Sequence, residues 1–252
     1  MLTQQQVAHF NTFGFLFFRQ AFSAEEMAGF TRAAEEIWEE NPQPVEHEER
    51  RWNYFVERRP VLTGLVTDER IYPIIEQLLG SEFLWVGSEG NISSRSKVRW
   101  HPDRKYYKKG QEHWMDFAQI KVMIYLDEVN RDSGCLRVIP GSHKMPYHKS
   151  LTEQEIDPDA RPFGVDGPDI PCAALGSEPG DLILFNHCIW HASFGGGENR
   201  RYVALKFAAR PSADHHIDSL KEYGAGVFEP HEAFANHRDP RIRTMVRIPG
   251  QQ

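Results

Sequence analysis

A chain of 252 residues, 40% hydrophobic and 26% charged, has the composition of an ordinary globular protein and is long enough to bury one sizeable core. Its formal net charge of −7 argues against a general affinity for nucleic acid or an anionic membrane, so local basic runs carry more meaning than the total. Cys135, Cys172 and Cys188 are too few and too scattered for a disulfide framework or a cysteine zinc site, which points to a reducing compartment such as the cytoplasm. The opening MLTQQQVAHF has neither a basic leader nor a long apolar core, and no apolar run reaches membrane-spanning length.

The first third reads as mainly helical. Thr3 with Gln6 forms a capping-box signal for a short helix over 4–10, and GFLFF at 14–18 is a short strand. Ser23 with Glu26 repeats the signal for a helix running to about Glu40, with Phe30, Ala33, Ala34 and Ile37 on its apolar face. The NPQP run at 41–44 ends it. The charged stretch 46–59 is expected to be a surface loop, and 70–79 a helix closed by Gly80. From Glu82 the texture changes to short β-rich runs at 83–86, 91–100, 117–126, 136–139, 181–185 and 202–208, with turns at Asp132-Ser133-Gly134 and Pro140-Gly141-Ser142. Many short strands at such spacing suggest a sandwich or barrel, with jelly rolls among the candidates. The tail from Ser212 holds a short helix near 217–223, and no linker divides the chain. One domain is expected, with a helical part at 1–81, a β core at 82–210 and an extension at 211–252.

His101-Pro102-Asp103, a later histidine at His191 and an arginine pair at Arg200 and Arg201 follow one another in that order. Two imidazoles and one carboxylate on one face of a metal leave the opposite face open, which is the ligand set of non-haem iron(II) oxygenases. An arginine adds a fixed cation able to grip a carboxylate through two hydrogen bonds. H-x-D is a short pattern among twelve histidines and also occurs at His216-Ile217-Asp218 and His237-Arg238-Asp239. Context favours the first, which directly follows a strand-like run and is followed by a histidine and arginine. His187 and His113 are rivals to His191 as the distal ligand.

Strand alternation places Arg95, Lys97 and Arg99 on the face of His101, either lining a cationic pocket or guarding an exposed edge. On the next long strand Phe117, Gln119, Lys121, Met123 and Tyr125 share one face, with the look of a pocket lining. Ala118, Ile120, Val122, Ile124 and Leu126 share the other, purely apolar one. Lys121 is a candidate contact for a carboxylate, or else a snorkelling surface lysine. Arg104, Lys105, Lys108 and Lys109 add positive charge that suits an acidic small molecule, and Tyr106, Tyr107 and Trp114 can form an apolar wall. The stretches 46–59 and 223–234 are candidate lids.

With those residues in hand, the chain resembles the phytanoyl-CoA dioxygenase family of Fe(II)/2-oxoglutarate-dependent oxygenases over most of its length. The segments that carry the resemblance are LTQQQVAHFNTFGFLFF, WHPD, MIYLDEVNRDSGCLRVIPGSH, and PGDLILFNHCIWHAS followed by ENRRYVALKF. The resemblance implies a double-stranded β-helix, a cupin-like jelly roll with flanking helices. It implies iron held by His101, Asp103 and His191, and 2-oxoglutarate held at its far carboxylate by Arg200 with help from Ser193. Arg201 is the rival anchor, because a one-residue slip along a strand reverses the face. The implied reaction oxidises a small-molecule C–H bond with O2 while 2-oxoglutarate becomes succinate and CO2. Hydroxylation is the expected outcome, since related halogenases carry a small residue in place of Asp103. Desaturation, epoxidation, ring closure, a non-catalytic metal-binding cupin and a zinc hydrolase are the alternatives.

Overall fold

The computed structural model describes residues 1–43, 49–94, 96–104, 115–154, 165–196, 200–222 and 226–248. The first two helices start where their capping signals stand. Thr3 and Gln6 exchange side-chain and backbone hydrogen bonds to open α1 (Gln4–Phe13), and Ser23 and Glu26 do the same for α2 (Ala24–Glu40). The buried face of α2 comprises Met27, Phe30, Ala33, Ala34, Ile37 and Trp38. Each of its large apolar side chains contributes roughly 1.5–3 kcal/mol by leaving water.

Among the described residues, ten strands and six further α-helices complete the fold. β1 (Phe15–Phe18), β2 (Glu49–Asn53), α3 (Pro60–Thr63), α4 (Tyr72–Leu79), β3 (Leu84–Ser93), β4 (Ser96–His101) and β5 (Gln119–Tyr125) make up the first half. β6 (Leu136–Val138), α5 (Tyr147–Glu153), β7 (Ala173–Leu175), β8 (Leu182–Asn186), β9 (His191–Gly195), β10 (Arg200–Ala208), α6 (Asp214–Glu222), α7 (Glu232–Ala235) and α8 (Pro240–Met245) complete it. The strands form two antiparallel sheets, one of six in the order β1-β8-β5-β10-β3-β2 and one of four in the order β4-β9-β6-β7. This is the two-sheet jelly roll expected from the spacing of the β-rich runs. No helix among the described residues is long and apolar enough to cross a membrane.

β5 explains why the large sheet is buried on both sides. Ile120, Val122, Ile124 and Leu126 pack into the cluster that also contains the α2 face and Ile75 of α4. Met123 and Tyr125 point the other way, into a cluster with Leu136, Val138, Ile183 and Phe185 between the sheets. The alternation read from the sequence is therefore the partition between the helix side and the interior side.

Two expectations fail. The stretch 46–59 is not simply a surface loop: Glu49–Asn53 pairs with β3 as the sixth strand, and Trp52 and Phe55 are buried against Trp38. Apolar anchoring of these aromatics outweighs the surrounding charge. The runs at 83–86 and 91–100 do not form two strands broken at the Gly-Ser-Glu-Gly segment. β3 runs straight through it. Gly87 has φ of 144° beside a register shift opposite Lys206/Phe207, and a Cβ at Gly90 would lie 2.4 Å from the Phe55 ring. These glycines accommodate a bulge and a close approach within a strand.

Candidate metal centre and co-substrate pocket

His101 ends β4 and His191 begins β9, and the two are direct partners in the small sheet. At the next pair, two residues along β9, Val98 faces Ser193. Three steps on β4 thus match two on β9. This bulge turns both Val98 and His101 into the same pocket. Of the two readings open for Arg99, pocket lining and edge guard, its exposure on β4, an edge strand, matches the second. Trp100 points away into a core with Phe194 and Ile139. Just past the strand, the Arg104 N–H donates to the His187 carbonyl oxygen and pins the turn that carries Asp103.

The ligand atoms of His101, Asp103 and His191 lie within 4.8 Å of one another. The two imidazole centroids are 4.3 Å apart, and His191 Nε2 stands 3.8 Å from Asp103 Oδ1. Each ring is oriented by its own backbone. His101 Nδ1 faces the Arg99 carbonyl oxygen at 2.7 Å, and His191 Nδ1 faces that of Ile189 at 3.0 Å. A carbonyl only accepts, so each Nδ1 carries a proton, and in the neutral ring Nε2 is then the lone pair. Burial, with His101 alongside, pulls the His191 imidazole down to about 3, so the ring is neutral near pH 7. Burial would raise the Asp103 carboxyl, but Lys121 and the neighbouring imidazoles hold it well below the usual range. Two imidazoles and one carboxylate, all convergent, fit a divalent iron with open coordination positions.

At the other end of the pocket sits Arg200, buried between Tyr125 and Tyr202 with its carbon centre 5.3 and 5.0 Å from their ring centroids. Its Nη2 donates to Tyr125 Oη at 3.0 Å, and its Nε has no hydrogen-bond partner. No ion pair to Arg200 occurs among the described residues. Arg201 points the other way: it forms ion pairs with Asp127 at 2.8 Å and Glu35 at 2.7 Å. Ser193 lines the same pocket and donates to the Gly134 carbonyl oxygen at 2.7 Å. Lys121 also lines it and is buried, not a snorkelling surface lysine. Its Nζ lies 2.8 Å from Glu89 and 3.4 Å from Asp103.

Glu49 and Arg51 also line the pocket and Glu89 reaches it through Lys121; an expected loop at 46–59 and an expected strand break at Gly87 hide all three in the sequence. The available signal was a Glu89–Asn91–Ser93 alternation on one strand face. His187 is buried close by, with its imidazole pushed down to about 3 by burial. Arg104 does not face the pocket as free charge; its guanidinium binds the Ser219 backbone carbonyl and hydroxyl oxygens on α6. His113, Arg95, Lys105, Tyr106, Tyr107, Lys108, Lys109, Trp114 and the lid stretch 223–225 lie outside the described residues, as does the side chain of Lys97.

Antiparallel jelly-roll sheets holding two imidazoles and a carboxylate at one end of a pocket, and a buried arginine at the other, define the class of cupin-like metal oxygenases. The chain belongs to the phytanoyl-CoA dioxygenase (PhyH) family, whose model matches residues 10–201. It is 25% identical to a 2-aminoethylphosphonate dioxygenase of uncultured bacterium HF130_AEPn_1, over 67% of this chain and 62% of that protein. It is 26% identical to the ectoine dioxygenase of Sphingopyxis alaskensis, over 77% of this chain and 71% of the relative. Among solved structures, HygX from Streptomyces hygroscopicus with nickel and 2-oxoglutarate bound superposes with a TM-score of 0.68 at 18% identity, covering 82% of this chain and 87% of HygX. Apo EctD from S. alaskensis gives 0.62 at 25% identity, covering 82% and 77%.

Proposed function

We propose that this chain is an Fe(II)- and 2-oxoglutarate-dependent dioxygenase that hydroxylates a C–H bond of a small acidic molecule. The observation that carries the reading is the pairing of two unsatisfied sites in one pocket. His101, Asp103 and His191 offer lone pairs to a metal, and the buried Arg200 offers charge to a carboxylate. In this reading the three side chains hold the iron. Bound there, iron(II) supplies O2 activation coupled to conversion of 2-oxoglutarate to succinate and CO2.

The protein's own part is orientation. Arg200 grips the far carboxylate of the co-substrate, Ser193 joins it by turning its hydroxyl from the Gly134 carbonyl oxygen, and the flanking Tyr125 and Tyr202 keep water away from that ion pair. Lys121 stands at the metal end, within reach of the co-substrate's keto acid end. Arg51 and Lys206 add cationic charge around Glu89, which favours a substrate with an anionic group. The 2-aminoethylphosphonate relative fits such a substrate class; the choice of molecule rests on residues at the pocket mouth.

The test is anaerobic titration of the protein with Fe(II) and 2-oxoglutarate, watching for the weak visible charge-transfer band of the chelate. The band is expected, to be lost in His101→Ala and weakened in Arg200→Ala. Metal binding without the band would shift the reading to a non-catalytic cupin. Succinate formation with a product heavier by one oxygen atom distinguishes hydroxylation from desaturation or ring closure.

A further inference from the structure

Glu89 is fully buried on the interior face of β3, and three cations converge on its carboxylate. Lys121 Nζ lies 2.8 Å from Oε1, Lys206 Nζ 2.7 Å from Oε2, and Arg51 Nε 3.8 Å from Oε2. Lys121 and Lys206 are direct partners across β5 and β10, so both ammonium groups rise from one level of the sheet. Lys121 is the only one of the three that also reaches Asp103, where it stands 3.4 Å from Oδ2. Among the described residues neither that oxygen nor either Glu89 oxygen forms a hydrogen bond of good geometry, so these contacts are ion pairs ranked by distance. The lysine is thus shared unequally between two carboxylates, and the shorter contact is to Glu89.

This asymmetry matters because an ammonium and a metal ion compete for the same lone pairs. A lysine held by Asp103 alone would have to be displaced, or would repel the incoming cation. We propose that Glu89 is a positioning residue for the metal centre: by holding the Lys121 ammonium it keeps the Asp103 carboxylate open to the metal. The proposal rests on the reading of His101, Asp103 and His191 as ligands. It differs from the usual outer-shell device, in which a neighbour bonds directly to a ligand, because Glu89 acts by withholding a competitor.

The experiment measures Co(II) affinity by calorimetry and the visible cobalt spectrum, without 2-oxoglutarate, in the full chain. Wild type must first show Co(II) binding that His101→Ala abolishes; without it the ligand reading itself fails, before any Glu89 variant is considered. Given that binding, Glu89→Gln is expected to weaken it about 10–100-fold, the range found for outer-shell changes at metal sites. The double variant Glu89→Gln/Lys121→Met is expected to regain most of the loss, because the competing ammonium is gone. Lys121→Met alone, which leaves Glu89 with Lys206 and Arg51, is expected to bind Co(II) at least as tightly as wild type, and it stands as the test if Glu89→Gln does not fold. A folded Glu89→Gln with unchanged affinity overturns the proposal. So does a double variant as weak as Glu89→Gln, or a tenfold loss in Lys121→Met.

Discussion

Among the described residues there are two clusters of two histidines and one aspartate, each with its ligand atoms within 4.8 Å, and the two are wired differently. In the first, His101 and His191 turn Nδ1 toward backbone carbonyls, which leaves Nε2 as a lone pair. In the second, Asp116, His215 and His216 meet near the start of β5, and His216 Nδ1 accepts the Ser212 backbone N–H at 3.1 Å. A backbone N–H only donates, so Nε2 of His216 carries the proton and gives it to Asp116, also at 3.1 Å. The second cluster is a hydrogen-bonded clasp between α6 and β5. Residue type and proximity are equal in the two; what differs is the backbone group behind the ring, a carbonyl for His101 and His191 and an N–H for His216.

The sharpest way to break this comparison is to remove a ligand from each cluster. His101→Ala or Asp103→Ala is expected to abolish turnover and Fe(II) or Co(II) binding, whereas His216→Ala should leave metal affinity unchanged. Metal titration with activity measured in parallel decides it. Full activity in both of the first variants sinks the assignment, and a second equivalent of metal lost in His216→Ala sinks the clasp.

The same logic sorts the three H-x-D patterns. The one at His101 is the metal candidate. At His216, the following Asp218 turns toward Lys221 and plays no part in the clasp, whose carboxylate comes from the distant Asp116. At His237, Nδ1 accepts the Asp239 N–H at 3.1 Å, and Asp239 caps α8 instead. Sequence context singled out the pattern whose histidine and aspartate converge with His191, because His101 ends a strand, but the tautomer argument needs the backbone trace. The helix starts were legible because capping boxes are local. The two faces of β5 were legible because alternation survives in a regular strand. Alternation left Arg99 between pocket and edge, because a bulge resets alternation and leaves no composition signal. Glu89 was missed because glycines that serve close packing against Phe55 look like turn glycines.

Arg200 and Arg201 repeat the comparison at one-residue spacing. Arg200 is buried with Tyr125 and Tyr202, and Arg201 is spent on Asp127 and Glu35. Arg200→Ala is expected to raise the KM for 2-oxoglutarate on the order of 100-fold, as loss of a buried charge-assisted pair does. Arg201→Ala should leave that KM unchanged and cost about 1 kcal/mol of stability at most, since its ion pairs are partly exposed. Steady-state kinetics against 2-oxoglutarate and urea unfolding separate the two; equal KM effects would mean that β10 presents both arginines to the pocket.

The smallest effect belongs to the clasp and has a definite sign in pH. Burial works to raise the Asp116 carboxyl, but hydrogen bonds from His215 and His216 outweigh it and leave the folded-state value below its ordinary one. A depressed carboxyl contributes stability that is present above the unfolded value, about 3.9, and is lost as pH falls through the folded one. Because Asp116 is more than half exposed, the contribution is screened to ~0.5 kcal/mol. Asp116→Asn should therefore lower the urea midpoint slightly at pH 7, and the gap from wild type should close as both proteins are taken below pH ~3. A gap that persists in acid would mean that the carboxylate's charge is not what ties α6 to β5.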